Sequence, residues 1–272
     1  MGRKETLIRK KMKSKRQAVV VGLMLLIASL TMMSCQVSWK KESLFGSHSV
    51  TENRHLKGFE EIEISGSPTV YYEQADSFSV KVKGQEDQVE NIVTETDGKT
   101  LVIRNKGKFG LFNVQFASDD GLVVYVTSPD LTSIRLNGSG DFISRQRIDT
   151  DNMDILLRGS GDVQVNDLIC DRCHVDLVGS GDLEVSRLEA RKVSASLVGS
   201  GDLDLGLLKV DDTSLSLRGS GDIDADFREG CGSVDCELRG SGDITLRGTV
   251  RRFNQHTTGS GGVDVDKLSI QQ

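Results

Sequence analysis

Six aspartates recur at one place in this 272-residue chain. Asp141, Asp162, Asp182, Asp202, Asp222 and Asp243 each close a Gly-Ser-Gly-Asp tetrapeptide, which then decays to Gly259-Ser260-Gly261-Gly262. Stacked in register, such carboxylates form a ladder of like charges about 4.8 Å apart, which is unfavourable unless each is hydrogen-bonded, solvated or bridged by a cation. Calcium takes oxygen ligands at about 2.3–2.6 Å, so neighbouring rungs could share an ion. The simpler expectation is that each Asp closes its own turn and faces water. Arg158, Arg218 and Arg239 stand just before the corner and could relieve part of the repulsion, whereas Val178 and Val198 at the same place cannot.

The thiols and imidazoles offer less. Cys170 and Cys173 form Cys-x-x-Cys, and Cys231 with Cys236 form a second pair. A structural zinc needs all four sulfurs at about 2.3 Å from one metal, but the pairs lie three repeats apart, roughly 14 Å along a stack, so no metal site is expected. Cys173 and Cys236 fall on inward positions as core thiols; Cys170 and Cys231 are expected in turns. A disulfide within either pair stays open, because an oxidising compartment allows it and the sequence does not decide it. A thioredoxin-like reading lacks its βαβ context. His48, His55, His174 and His256 are scattered, with His174 expected to face solvent, and the repeated Ser belongs to a turn, so no Ser-His-Asp order emerges.

The elements that position these groups follow from the repeat. Successive first glycines are separated by 21, 20, 20, 20, 21 and 19 residues, the signature of a stacked-coil architecture. Counting from each Asp, apolar residues fall at +1, +3 and +6, then near +13 and +15. In one coil these are Val163, Val165, Leu168, Val175 and Leu177. Two short period-2 runs joined by turns are strands. In the longer steps the second run shifts by one, as in Met153, Ile155 and Leu157, so the extra residue belongs between the runs and the apolar set keeps facing inward. Paired glycines allow a sharp corner at positive φ. One coil cannot bury its apolar edge alone, so coils stack into a parallel β-helix of about seven turns, roughly 30 Å tall. The fold class is all-β: a solenoid over residues 137–272, preceded by a less regular β region over 58–136 that caps it.

In that region Phe59 to Ile64, Thr69 to Glu73, Phe78 to Lys83, Thr100 to Arg104 and Leu122 to Thr127 read as strands. Asp97-Gly98 marks a hairpin between Val89-to-Thr96 and Leu101-to-Ile103, and Ser65-Gly66-Ser67-Pro68 looks like a worn copy of the later corner. A cap is required because an open terminal coil exposes unpaired backbone groups.

Upstream, the basic residues of 1–17, the uncharged apolar run Ala18 to Met33 and then Ser34-Cys35 read as a secretory signal over residues 1–34 ending at a lipobox, with lipid attached to Cys35. Met32 stands where Leu is usual, and Met12 is an alternative start. Sixteen apolar residues fall short of the ~20 that span a bilayer. Residues 35–57 read as a tether. No acidic run follows the cysteine in Ser38-Trp39-Lys40-Lys41, which favours the periplasmic side of an outer membrane over the cell surface. The net charge of −6 leaves no basic patch for nucleic acid once the signal is removed.

The run from Phe59 through Gly66, Val70-Tyr71-Tyr72, Leu101-Val102-Ile103, Val123 to Pro129, Leu131 to Leu136 and the repeated Gly-Ser-Gly-Asp resembles the bacterial head GIN domain family of auto-transporter adhesins. The resemblance covers nearly all of the chain after the signal. It implies an exported, β-helical, often lipid-anchored protein of the kind common in Bacteroidetes, and carries no catalytic residues. The expectation is a lipid-anchored envelope module that binds a glycan or protein, or serves structurally, without catalysis, and that needs no cofactor unless the Asp ladder takes calcium. The competing expectation is a carbohydrate-active β-helical enzyme, a polysaccharide lyase or hydrolase using the acidic ladder as a carboxylate cleft. Short turns and 5% aromatic residues weigh against it.

Overall fold

The computed structural model describes residues 49–106 and 122–271. The signal region, Cys35, Trp39 and His48 lie outside the described residues, and so does most of the expected tether. The elements in order are β1 (Ser49–Arg54), β2 (Glu61–Gly66), β3 (Thr69–Gln74), β4 (Ser79–Gln85), α1 (Glu86–Asn91), β5 (Ile92–Asp97), β6 (Thr100–Asn105), β7 (Val123–Ser128), β8 (Ser133–Gly138) and β9 (Asp141–Asp149). They continue with β10 (Asn152–Gly159), β11 (Asp162–Gly179), β12 (Leu183–Gly199), β13 (Asp202–Leu208), β14 (Val210–Gly219), β15 (Asp222–Gly240), β16 (Ile244–Gly259) and β17 (Val263–Ile270).

From β8 onward every pairing is parallel, each coil in register with the next. Val163, Leu183, Leu203, Ile223 and Ile244 form one continuous inward row, and Leu157, Leu177, Leu197, Leu217 and Leu238 another. All ten are at most 1% exposed, so the alternation of the sequence is a buried core of aliphatic ladders. The longer steps are absorbed at local shifts, between Val165 and Asp167 against β9 and between Phe227 and Cys231 against β16. The first lies between the +3 and +6 positions and the second beyond Phe227, so the period-2 pairs at +1 and +3 and near +13 and +15 keep facing inward.

Each coil also holds inward residues near +8 and +11. Cys170, Ala190, Val210, Cys231 and Val250 fill the first row, and Met153, Cys173, Val193, Thr213 and Val234 the second, all buried. Cys170 and Cys231 are therefore inside the column rather than in exposed turns. His174 is exposed, as alternation requires.

The amino-terminal half stacks out of chain order. The β2–β3 coil lies between two others: β2 pairs in parallel with β6 and β8, and β3 with β7 and β9. Gly66 pairs with Gly138, so the worn corner occupies the rung preceding the first regular one. The chain then closes this end with antiparallel strands, β5 on β6, β4 on β7 and β1 on β4. The Asp97-Gly98 hairpin forms as its turn chemistry predicts, with Gly98 at φ 60°. Residues 86–91, read from sequence as partly strand, are instead a short helix. Gln88 Oε1 accepts the Gln85 amide at its start, and Val89 packs into the core. Residues 49–54, within the expected tether, are strand β1. Tyr72 is buried with its hydroxyl 3.0 Å from Ser128 Oγ, and burial pushes its pKa up to about 12.

Candidate functional site

The recurring corner is built by close approach. The first glycine of each tetrapeptide has φ between +131° and +147°, a conformation that strains any residue bearing Cβ. At both glycines an added Cβ would drive into the backbone carbonyl oxygen of the rung below. The first is thus required by dihedral and contact together, the second by contact alone. The serine amides cross to the preceding rung: Ser160 donates to the Gly138 carbonyl, Ser180 to Gly159, Ser200 to Gly179 and Ser220 to Gly199, each at 2.9 Å.

The aspartates follow the same logic, and the expectation that each closes its own turn is corrected. Asp162 Oδ1 accepts the amide of Asp182 at 3.2 Å, Asp182 that of Asp202 at 3.0 Å, Asp202 that of Asp222 at 3.3 Å, and Asp222 that of Asp243 at 2.8 Å. Asp243 accepts the amide of Gly262 at 2.8 Å. Each carboxylate replaces a backbone acceptor for the coil after it, and a hydrogen bond to a charged group is worth about 1.5–3 kcal/mol. This offsets the repulsion of the ladder. Asp141 differs: its Oδ2 accepts from the Thr69 hydroxyl at 3.0 Å, tying the first regular corner to the out-of-order coil. The series of carboxylates stops at Gly262, whose own amide is the donor to Asp243. Among the described residues no group of three or more His, Cys, Asp or Glu is arranged to hold a metal ion.

A second acidic row was missed in the sequence. Glu184, Asp204 and Asp224 stand in register on three successive coils. Burial, then the charges of Asp224, Glu184, Asp202 and Asp182, raise the Asp204 carboxyl above its ordinary value. Ser186 donates to Glu184 at 2.6 Å and Arg247 pairs with Asp224 at 3.1 Å. On the same sheet a chain of alternating charge climbs the column: Arg147 to Asp167, Asp167 to Arg187, Arg187 to Glu189 and Glu189 to Lys209, at 2.9–3.3 Å. Only the regular spacing of the coils brings these groups together.

The four cysteines of the described residues are free and buried. A hydrogen bond that the Cys173 thiol gives to Cys170, together with burial, holds Cys173 well above its ordinary value, and burial pushes Cys236 up to about 12. Cys231 Sγ lies 3.5 Å from Thr213 Oγ1 and 3.4 Å from the Ser233 carbonyl. Thiols so held off ionisation are poor nucleophiles and metal ligands.

At the capped end residues 53–57 and 77–80 surround an open pocket of about 730 Å³. It is lined by Arg54, His55 and Lys57 and by the apolar Leu56, Phe78 and Val80, with no carboxylate among the described residues of its lining. Elsewhere on the outer face Tyr71 and Tyr125 stack at 5.7 Å, with the Arg145 guanidinium 5.7 Å from the Tyr71 ring.

Several solved structures share this architecture. A putative adhesin from Bacteroides fragilis matches at a TM-score of 0.72 and 24% identity, over 80% of this chain and 97% of that one. A putative adhesin from Parabacteroides merdae matches at 0.59 and 18%, over 83% and 98%. A putative lipid binding protein from Parabacteroides distasonis matches at 0.58 and 22%, over 84% and 98%. At these identities the likeness carries the fold alone. No curated protein matches the chain. The profile of one family fits residues 58–231, more than half of the sequence, and the chain therefore belongs to the family described as "Putative auto-transporter adhesin, head GIN domain".

Proposed function

We propose that this protein is a lipid-anchored cell-envelope module, held by Cys35 on the periplasmic side of an outer membrane, that binds a glycan or protein ligand through its rigid column and performs no catalysis. The observation that carries the reading is the engagement of the recurring carboxylates. Asp162, Asp182, Asp202, Asp222 and Asp243 each hold the amide of the next coil. A carboxylate committed to the backbone is a poor general acid or nucleophile, since both roles need a group free to reach substrate. The short corners and the flat sheet faces between them suit a broad, pre-formed contact surface with little ordering cost. Family membership supports an adhesin-like role.

Two measurements test this. Fatty-acid labelling of the full chain, with Cys35→Ser as control, is expected to place acyl label on Cys35. A glycan array run alongside a turnover assay on the same sugars is expected to give binding without cleavage. Turnover abolished by changing one of the corner aspartates would overturn the reading in favour of a carbohydrate-active enzyme.

A further inference from the structure

We infer that the pocket at the capped end takes the headgroup of an anionic phospholipid from the bilayer that holds the anchor. The chain is acidic overall, with a formal charge of −6, yet the described lining of the pocket holds Arg54, His55 and Lys57 and no acidic side chain, Glu52 standing outside it against Arg54. Arg54 gives one terminal nitrogen to Glu52 at 2.8 Å and to the Val89 carbonyl at 3.2 Å, while its Nε is buried without a hydrogen-bond partner among the described residues. His55 and Lys57 are exposed, with no ion pair to any described residue. Lys57 is thus a cation that no described carboxylate pairs, while Arg54, partly neutralised by Glu52, adds a guanidinium edge beside it.

The rest of the lining is apolar. Phe78 is 36% exposed, its ring packed edge-on against Phe59 at 5.1 Å, and Leu56 and Val80 complete that wall. A phospholipid headgroup matches both halves, setting phosphodiester oxygens against the cations and glycerol or upper acyl carbons against Phe78. Inorganic phosphate would leave the apolar wall unused. Position adds a third argument, which rests on the anchored reading given above. Thirteen residues lie between Cys35 and Ser49, where β1 begins, so the start of β1 lies no more than about 50 Å from the lipidated cysteine. Lipid is then abundant at the pocket, and weak intrinsic affinity suffices for occupancy.

The test is calorimetric titration of the full chain in neutral detergent micelles with dihexanoyl phosphatidylglycerol, dihexanoyl phosphatidylcholine and inorganic phosphate. Phosphatidylglycerol is expected to bind saturably, at least tenfold tighter than either of the others. Lys57→Glu is expected to weaken it at least tenfold, and Phe78→Ser several-fold. Lys192→Glu, an exposed cation on a corner of the column, is expected to leave it unchanged. Equal binding of both lipids, phosphate binding as tight as phosphatidylglycerol, or indifference to Lys57→Glu would each overturn the inference. Acyl labelling of Cys35 is read separately. Label without lipid binding sinks the pocket and spares the anchor; lipid binding without label does the reverse.

Discussion

The two ends of the column solve one problem by different means. A parallel stack leaves its terminal coils with unpaired amides and carbonyls and an exposed apolar interior. At the amino-terminal end the backbone folds back. Strands β5, β4 and β1 add in antiparallel fashion, α1 covers the edge, and the inward residues Val80, Val82, Val89 and Ile92 stay aliphatic and buried. At the carboxy-terminal end the side chains change instead. The row Leu177, Leu197, Leu217, Leu238 continues to Thr257, and the row Val175, Ala195, Leu215, Cys236 continues to Gln255, both exposed. The corner aspartate gives way to Gly262 at the same end. A solenoid can thus be closed by covering its last rung or by making that rung tolerant of water.

Substitutions at matched positions sharpen this contrast. The largest effect is expected at the interior corners. Gly201→Val places a branched side chain against the carbonyl of Gly181 and should cost more than about 4 kcal/mol in urea unfolding, or prevent folding. Gly262→Ala, where an added Cβ would meet only Asp243 Oδ1 at 3.5 Å, should change stability by less than about 0.5 kcal/mol. Next comes the inward row. Leu217→Ala opens a cavity in the middle of the column and should cost about 2–5 kcal/mol, while Thr257→Ala at the open end should cost under about 0.5 kcal/mol by the same melt. Equal costs in either pair would mean that the two ends and the middle are not built as described.

The smallest effects are electrostatic and opposite in sign. The Arg135 guanidinium, bonded to Glu61 at 2.6 Å, holds the Glu61 carboxyl below its ordinary 4.5, against the opposing pull of burial. Glu61 therefore adds stability that is present above pH 4.5 and lost as pH falls through its folded value. Asp204 behaves in reverse. Burial and the facing carboxylates raise it above 3.8, so the folded chain keeps a proton that the unfolded chain has released, and stability falls as pH rises through that window. Glu61→Gln should destabilise and Asp204→Asn stabilise at pH 7, each by less than about 1 kcal/mol because both sites are partly solvated. In a pH series of thermal melts both differences should fade on acidification, that of Glu61 as pH passes down through its folded value below 4.5 and that of Asp204 as pH passes down through 3.8.

Much of the regular half was legible because its period is kept in residue type. Aliphatic residues at +1, +3, +6, +13 and +15 recur in coil after coil, and their alternation specifies which face is buried. The row near +8 escaped, its Cys170 and Cys231 read as turn residues, because it mixes Cys, Ala and Val with no repeating type, and the row near +11 was legible only in part, at Met153 and Cys173. The amino-terminal stacking order was hidden for another reason. Gly66 pairs with Gly138 across the whole intervening coil and hairpin, and no local signal encodes a partner so distant. Strand β1, with the sequence SVTENR, shows little apolar alternation and is ordered by its pairing with β4. The tetrapeptide announced the corner but not the recipient of its carboxylate, since the same Oδ1 could serve its own turn or the next. The acidic row of Glu184, Asp204 and Asp224 spans only three coils, too few to stand out, and the pocket of Arg54, His55 and Lys57 follows no motif.

Native-state hydrogen exchange on Asp182→Ala tests most directly whether each corner carboxylate serves the coil above it. The bond removed is the one from the Asp202 amide to Asp182 Oδ1. The amide of Asp202, twenty residues away, is therefore expected to exchange at least tenfold faster, with Leu183 and Glu184 unchanged. Faster exchange confined to residues 183 and 184, with Asp202 still protected, would show that the aspartate closes its own turn and would contradict the account.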